Sequence, residues 1–149
     1  MNVLDKSRIG HEFAPRFADV EKGQLKFFAK ATGESNPIYF DEEAARAAGH
    51  PNLPAPPTFL FSLELLAPDP RGSLGLLGVD IGKILHGEQR FTHYKQIYAG
   101  DRIKLSTRIG DIYAKKGGAL EFIVQDTTAE NQHGETVCVG QTVIVVRNG

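Results

Sequence analysis

Two side chains able to handle protons flank one Asn-Pro pair: Glu34 and Tyr39, with Ser35, Asn36, Pro37 and Ile38 between them. A carboxylate can accept a proton near neutral pH. A phenol, with a reference pKa of ~10, is a poor base there but donates a hydrogen bond or stacks. The residue types leave two readings of each. Glu34 is an acid–base group or a solvated carboxylate after a helix end. Tyr39 is a site residue or a core residue with a locally bonded hydroxyl. Asn36 braces the loop through an Asx-type turn, the reading its type favours, or contacts a ligand. The histidines His11, His50, His86, His93 and His133 form no close cluster, and no Cys/His pair has structural-zinc spacing. His86, two residues from Glu88, reads first as a satisfied strand histidine and second as a cavity-lining group. His50, beside a Pro-rich loop, is an alternative proton carrier. Cys138, the one cysteine, lies in an apolar alternating run and reads as a small core residue rather than a nucleophile.

The elements that must hold these residues follow from periodicity. Residues 12–18 suit a short first strand. Asp19 is a candidate N-cap for an amphipathic helix in which Leu25, Phe28 and Ala29 recur at helical spacing, ending near Gly33. Pro37 holds Asn36 extended, so no helix crosses the loop. Asp41 caps a short helix, 42–48, that Gly49 stops. Residues 50–57 contain four prolines, and Pro56 and Pro57 suit the first turn of the helix that follows, 56–67. Its Thr58-Phe-Leu-Phe-Ser-Leu-Glu-Leu-Leu-Ala67 segment is apolar on almost every side, which predicts burial all round. After a Gly-rich stretch, 72–82, alternation predicts strands over 83–97, 102–113, 119–128 and 135–147. Gly100-Asp101, Lys116-Gly117-Gly118 and 131–134 are the expected hairpin turns. A helical first half and a strand-rich second half predict an α+β fold, with a curved antiparallel sheet around the central helix.

Composition sets the outer bounds. The chain has 149 residues, 41% hydrophobic and 23% charged, with a formal net charge of −1. That length suits one domain with a sufficient core. Lys and Arg are scattered rather than clustered, which argues against nucleic acid as a partner. No segment approaches the ~20 apolar residues of a membrane span. The N-terminal segment lacks a signal-peptide core, so a cytoplasmic, soluble protein is expected.

Four segments together resemble the MaoC-like dehydratase/hydratase family of hot-dog proteins. They are Phe28-Ala-Lys-Ala-Thr-Gly-Glu-Ser-Asn-Pro-Ile-Tyr-Phe-Asp41, Ala44-Ala-Arg-Ala-Ala-Gly49, Ala55-Pro-Pro-Thr-Phe59, and His86-Gly-Glu-Gln-Arg-Phe91 through Ile97-Tyr-Ala-Gly-Asp101. The resemblance spans roughly residues 8 to 147. It implies a single hot-dog domain, 1–149, and reversible hydration of a trans-2-enoyl thioester to the (3R)-hydroxyacyl thioester. It also implies substrate carried by CoA or an acyl carrier protein, no cofactor, and a homodimer or a heterodimer with a second hot-dog subunit.

The resemblance also assigns positions. Family members place an aspartate, four residues, then a histidine, and begin the central helix with open backbone N–H groups. Here Glu34 and Tyr39 stand at the dyad positions. Pro56 and Pro57 precede Thr58, and a proline has no N–H to offer. Asn36, Pro57, Thr58, Phe59 and His86 fall at substrate-binding positions, Phe59 being a core candidate as well. These departures match the accessory, substrate-binding half of two-part dehydratases, with activity supplied through a catalytic partner. Two alternatives stand beside it: a self-sufficient homodimeric enoyl-CoA hydratase using Glu34 with Tyr39 or His50, and a non-enzymatic acyl-thioester binder.

Overall fold

The computed structural model describes residues 3–67, 69 and 72–149; Met1 and Asn2 of the N-terminal segment lie outside the described residues. Alternating sequence builds five strands: β1 (Arg16–Asp19), β2 (Ile84–His93), β3 (Arg102–Lys115), β4 (Leu120–Glu130) and β5 (Thr136–Arg147). They form one sheet in the order β1-β3-β4-β5-β2, with every neighbouring pair antiparallel. Glycine at positive φ makes both hairpins possible. Gly117 turns β3 into β4, and Gly134 turns β4 into β5 inside a loop where Asn131 Oδ1 accepts from the His133 and Glu135 N–H groups.

The Gly100-Asp101 pair is not a hairpin turn. β2 pairs with β5 at the far edge of the sheet, from Ile84 opposite Val146 to His93 opposite Cys138. The alternating run 83–97 therefore stops pairing at His93. Beyond it, Ile97 and Ala99 are buried against the Pro-rich loop, where the Ala55 N–H donates to the Ile97 carbonyl (2.8 Å) and the Ala99 N–H to that of Leu53 (2.9 Å). Burying those two side chains carries the chain across to β3, on the other side of β4 and β5.

Among the described residues, four α-helices accompany the sheet: α1 (Lys22–Ala31), α2 (Glu42–Ala47), α3 (Phe59–Leu66) and α4 (Gly72–Leu76). α1 buries Leu25 and Ala29 on one face. Its N-cap is Glu21 rather than Asp19, which ends β1 opposite Arg102. The expected strand 12–18 reduces to β1 and one bridge, Glu12 with Arg108, Pro15 lying between them with no N–H to donate. α2 carries its expected cap, with Asp41 Oδ1 accepting from the Glu43 N–H at 3.0 Å. α4 occupies part of the Gly-rich stretch, 72–82, for which the sequence predicts no element. Leu74, Leu76 and Leu77 supply the apolar side that holds it to the sheet. No described helix is long and apolar enough to cross a membrane.

α3 is the central helix, and the two prolines precede it instead of forming its first turn. Phe59, Leu60 and Leu63 are buried. The expectation of burial on all sides fails at its end, where Leu65 is 73% exposed and Leu66 50%. An all-apolar helix predicts complete burial only when the chain itself supplies every neighbour.

The sheet carries two apolar clusters. One gathers around Phe59, Leu60 and Leu63 with Ile103, Leu105, Ala129 and Val137. The other holds Ile109, Ile112, Ile123 and Val146, covered by Leu74, Leu77 and Val79. On each long strand the break between them falls at a polar side chain: Thr107 on β3, Thr127 and Gln125 on β4, Thr142 on β5 and Gln89 on β2. Register irregularities at Gly87 and Gly110 flank this row. Such bulges bend and twist the strands that carry them.

Candidate functional site

The chain distributes the candidate residues over three places. The first is the loop after α1. That helix ends at Ala31; Gly33 follows with a φ of 78° that suits a left-handed cap, and the Glu34 N–H returns to the Ala29 carbonyl at 2.9 Å. Asn36 caps a single 3₁₀ turn, Pro37–Tyr39: its Oδ1 accepts from the Ile38 N–H at 3.2 Å and Pro37 takes the first position. This local bond is the Asx-type role. The turn brings Tyr39 back toward Glu34, and both side chains are half-buried. Burial pushes the Tyr39 phenol above its ordinary value, and the nearby Glu34 charge pushes it further the same way. A phenol so placed holds its proton at neutral pH. It can donate a hydrogen bond but cannot act as a base.

The second place is the start of α3. Ala55, Pro56, Pro57 and Leu60 face residues 93–97 across a groove of about 260 Å³. Neither proline has an N–H, and the Phe59 N–H is committed to the Pro56 carbonyl at 3.0 Å. Thr58 is the N-cap residue; it is exposed and its side chain makes no capping bond. Phe59 is a core residue, edge-on to the Phe28 ring with centroids 5.2 Å apart. That contact ties α3 to the helix leading into the Glu34 loop. His50 lies on this side too, its Nδ1 3.0 Å from the Tyr98 hydroxyl.

The third place is a cavity of about 370 Å³ between the second half of α3, α4 and the sheet. His86 lines it, its ring 5.0 Å from that of Phe61 and its Nε2 3.1 Å from the Glu88 carbonyl oxygen. Glu64 also lines it. Burial is the main influence on that carboxyl and raises its pKa, against the Thr127 hydrogen bond and the Arg16 and His86 charges, which lower it. His86 is therefore apart from Pro57 and its groove. Sequence reading passed over Glu64, although a signal was present: it is the one charged residue in Phe59–Leu66.

Cys138 is buried and burial pushes its thiol up to about 11, so it offers no thiolate at neutral pH. Among the described residues no group of three or more His, Cys, Asp or Glu side chains is placed to hold a metal ion.

Comparison with known proteins gives these features a family. Residues 7–139 match the FAS1-like dehydratase domain region. A UPF0336 protein of Saccharopolyspora erythraea is 37% identical over 145 residues, covering 97% of this chain and 92% of that protein. Among solved structures, the C-terminally truncated HadBC (3R-hydroxyacyl-ACP dehydratase) complex of Mycobacterium tuberculosis is similar. It has a TM-score of 0.77 and 27% identity, over 93% of this chain and 96% of the matched one. The ChsH1–ChsH2 complex of Mycobacterium tuberculosis matches at a TM-score of 0.72 and 25% identity, over 92% and 89% of the two chains. The sheet wrapped on α3 is thus a hot dog, and the chain belongs to the FAS1-like dehydratase-domain family of MaoC-like proteins.

Proposed function

We propose that this chain is the substrate-binding half of a (3R)-hydroxyacyl-thioester dehydratase, or (R)-specific enoyl-thioester hydratase, whose acid–base pair comes from a second hot-dog subunit. The observation that carries this reading is Tyr39. Hydration requires one group to take a proton from water and another to deliver one to the α-carbon, both near neutral pH. Glu34 keeps a carboxylate, but its partner position holds a phenol whose pKa burial and Glu34 raise further. The helix start adds to this, because Pro56 and Pro57 lack N–H groups and the Phe59 N–H is already bonded. An enolate oxygen bound there would find few of the backbone donors that such a site uses.

A second subunit also suits the surface. β2 is an edge strand with Leu85 50% exposed, and Leu65 and Leu66 stand exposed at the end of α3. Unpaired strand edges and contiguous apolar surface are features that a partner covers. The HadBC and ChsH1–ChsH2 structures, to which this chain is similar, are complexes named for two components.

Co-expression with the neighbouring open reading frame tests the pairing. The expected product is a stoichiometric complex of two different hot-dog chains. A stable homodimer that hydrates crotonyl-CoA unaided would favour the self-sufficient reading, with Glu34 and Tyr39 or His50 at work. Thioester binding without turnover, alone or with the partner, would favour a binder.

A further inference from the structure

Folding alone does not require the polar row across the sheet. Thr107 and Thr127 lie opposite each other with hydroxyl oxygens 2.9 Å apart. The Thr127 hydroxyl donates to Glu64 Oε1 at 2.5 Å. The Thr142 hydroxyl donates to Gln89 Oε1 at 2.8 Å, and the Ser73 hydroxyl donates to Gln125 Oε1. A row of leucine and valine would join the two apolar clusters into one core at less desolvation cost.

Glu64 is the sharpest case. Its Oε2 is buried and has no hydrogen-bond partner among the described residues. Arg16, whose charge acts on Glu64, is engaged beside it: its Nη1 donates to the Glu64 main-chain oxygen at 2.9 Å, and its Nε faces Asp69 at 3.9 Å. Buried polar atoms are nearly always bonded, and an exception calls for a reason. Here the exception borders a cavity of about 370 Å³ lined by the apolar Phe61, Leu65, Ile84 and Ile144 together with the polar Glu64, Gln125 and Thr142.

We propose that this cavity is a subsite for the distal part of an acyl chain, and that Glu64 selects chains bearing a hydroxyl over plain alkyl chains. The inference rests on the acyl-thioester reading above. Apolar walls accept methylenes. A plain alkyl chain, however, returns no hydrogen bond and leaves Glu64 Oε2 the buried, unmatched acceptor that it already is, whereas Gln125 and Thr142 keep their partners within the chain. A hydroxyl donates to the open carboxyl oxygen and accepts from a neighbouring donor. An amine fits less well, because Arg16 and His86 line the same cavity with positive or protonatable groups. An anionic tail would meet Glu64.

Titration calorimetry on the assembled complex of this chain with its hot-dog partner tests this with a series of saturated acyl-CoAs, octanoyl to hexadecanoyl, each beside its ω-hydroxy counterpart. At one or more lengths the ω-hydroxy compound should bind about tenfold tighter, a difference of about 1.4 kcal/mol. Glu64→Leu should abolish or reverse that preference while still binding the plain chains. If Glu64→Leu does not fold, Glu64→Met carries the same comparison. Equal affinity across the whole series, or a preference that survives both variants, overturns the subsite and leaves the acyl-thioester reading standing. Failure to bind any acyl-CoA overturns both.

Discussion

Thr127 on β4 donates a 2.5 Å hydrogen bond to Glu64 on α3, and this bond fastens the central helix to the sheet at the break between the two apolar clusters. Removing the donor leaves both Glu64 oxygens unmatched in a buried site. Thr127→Val should therefore destabilise the chain by about 1–3 kcal/mol, read by urea unfolding at neutral pH. Glu64→Leu should be milder, because removing a buried charge together with its need for a partner is often neutral.

The same carboxyl sets a pH dependence. Burial holds its folded-state pKa above the ordinary glutamate value. In the interval between those two values the folded state binds more protons than the unfolded state. The Glu64 contribution to stability therefore falls as pH rises through that interval and is most favourable below it. Subtracting the unfolding free energies of Glu64→Gln from those of the wild type, pH by pH, should isolate this trend. A difference that is flat with pH, or rises with it, would remove the buried-carboxyl description.

Tyr39 is predicted to move no proton. In the assembled complex, Tyr39→Phe should leave kcat/KM for enoyl-thioester hydration within about twofold and the pH profile unshifted. A general base or acid in that position would cost ~10²–10⁴-fold. Loss on that scale would place Tyr39 in the chemistry.

Cys138 should be inert in the folded chain. Its buried thiol, pushed up to about 11, should resist a disulfide reagent at pH 8 and react in full once the chain is unfolded in denaturant. Rapid labelling of the native chain would show that the strand pairing of β2 and β5 around Cys138 opens readily.

Much of this architecture was legible in the residues, for reasons that are local. Alternation with Gly117 and Gly134 at the turns gives β3, β4 and β5, because a hairpin needs only its own residues. Asp41 announces α2 in the same way. What escaped is what distant contacts decide. Gly100-Asp101 has hairpin chemistry, yet the strand before it crosses to β5, since Ile97 and Ala99 find their burial on the Pro-rich loop. α3 reads as buried all round because its sequence records the burial it needs, not whether its own chain provides it.

The candidate site divides along the same line. Asn36, Pro37 and the turn to Tyr39 follow from side-chain-to-backbone chemistry within four residues. The polar row does not, because Thr107, Thr127, Thr142 and Gln89 look like ordinary strand residues until the register sets them in line. Two residues mark that cavity from the sequence: His86, one of whose two readings is a cavity-lining group, and Glu64, a lone charge in an apolar helix.

One rate comparison locates the acid–base pair. Crotonyl-CoA hydration is measured with the purified chain alone, with its co-purifying hot-dog partner alone, and with the two together. A binding half should show no turnover above background by itself, and ~10²-fold or greater turnover in the pair, in line with a general acid–base contribution. Hydration by the single chain that is lost in Glu34→Ala would contradict that role.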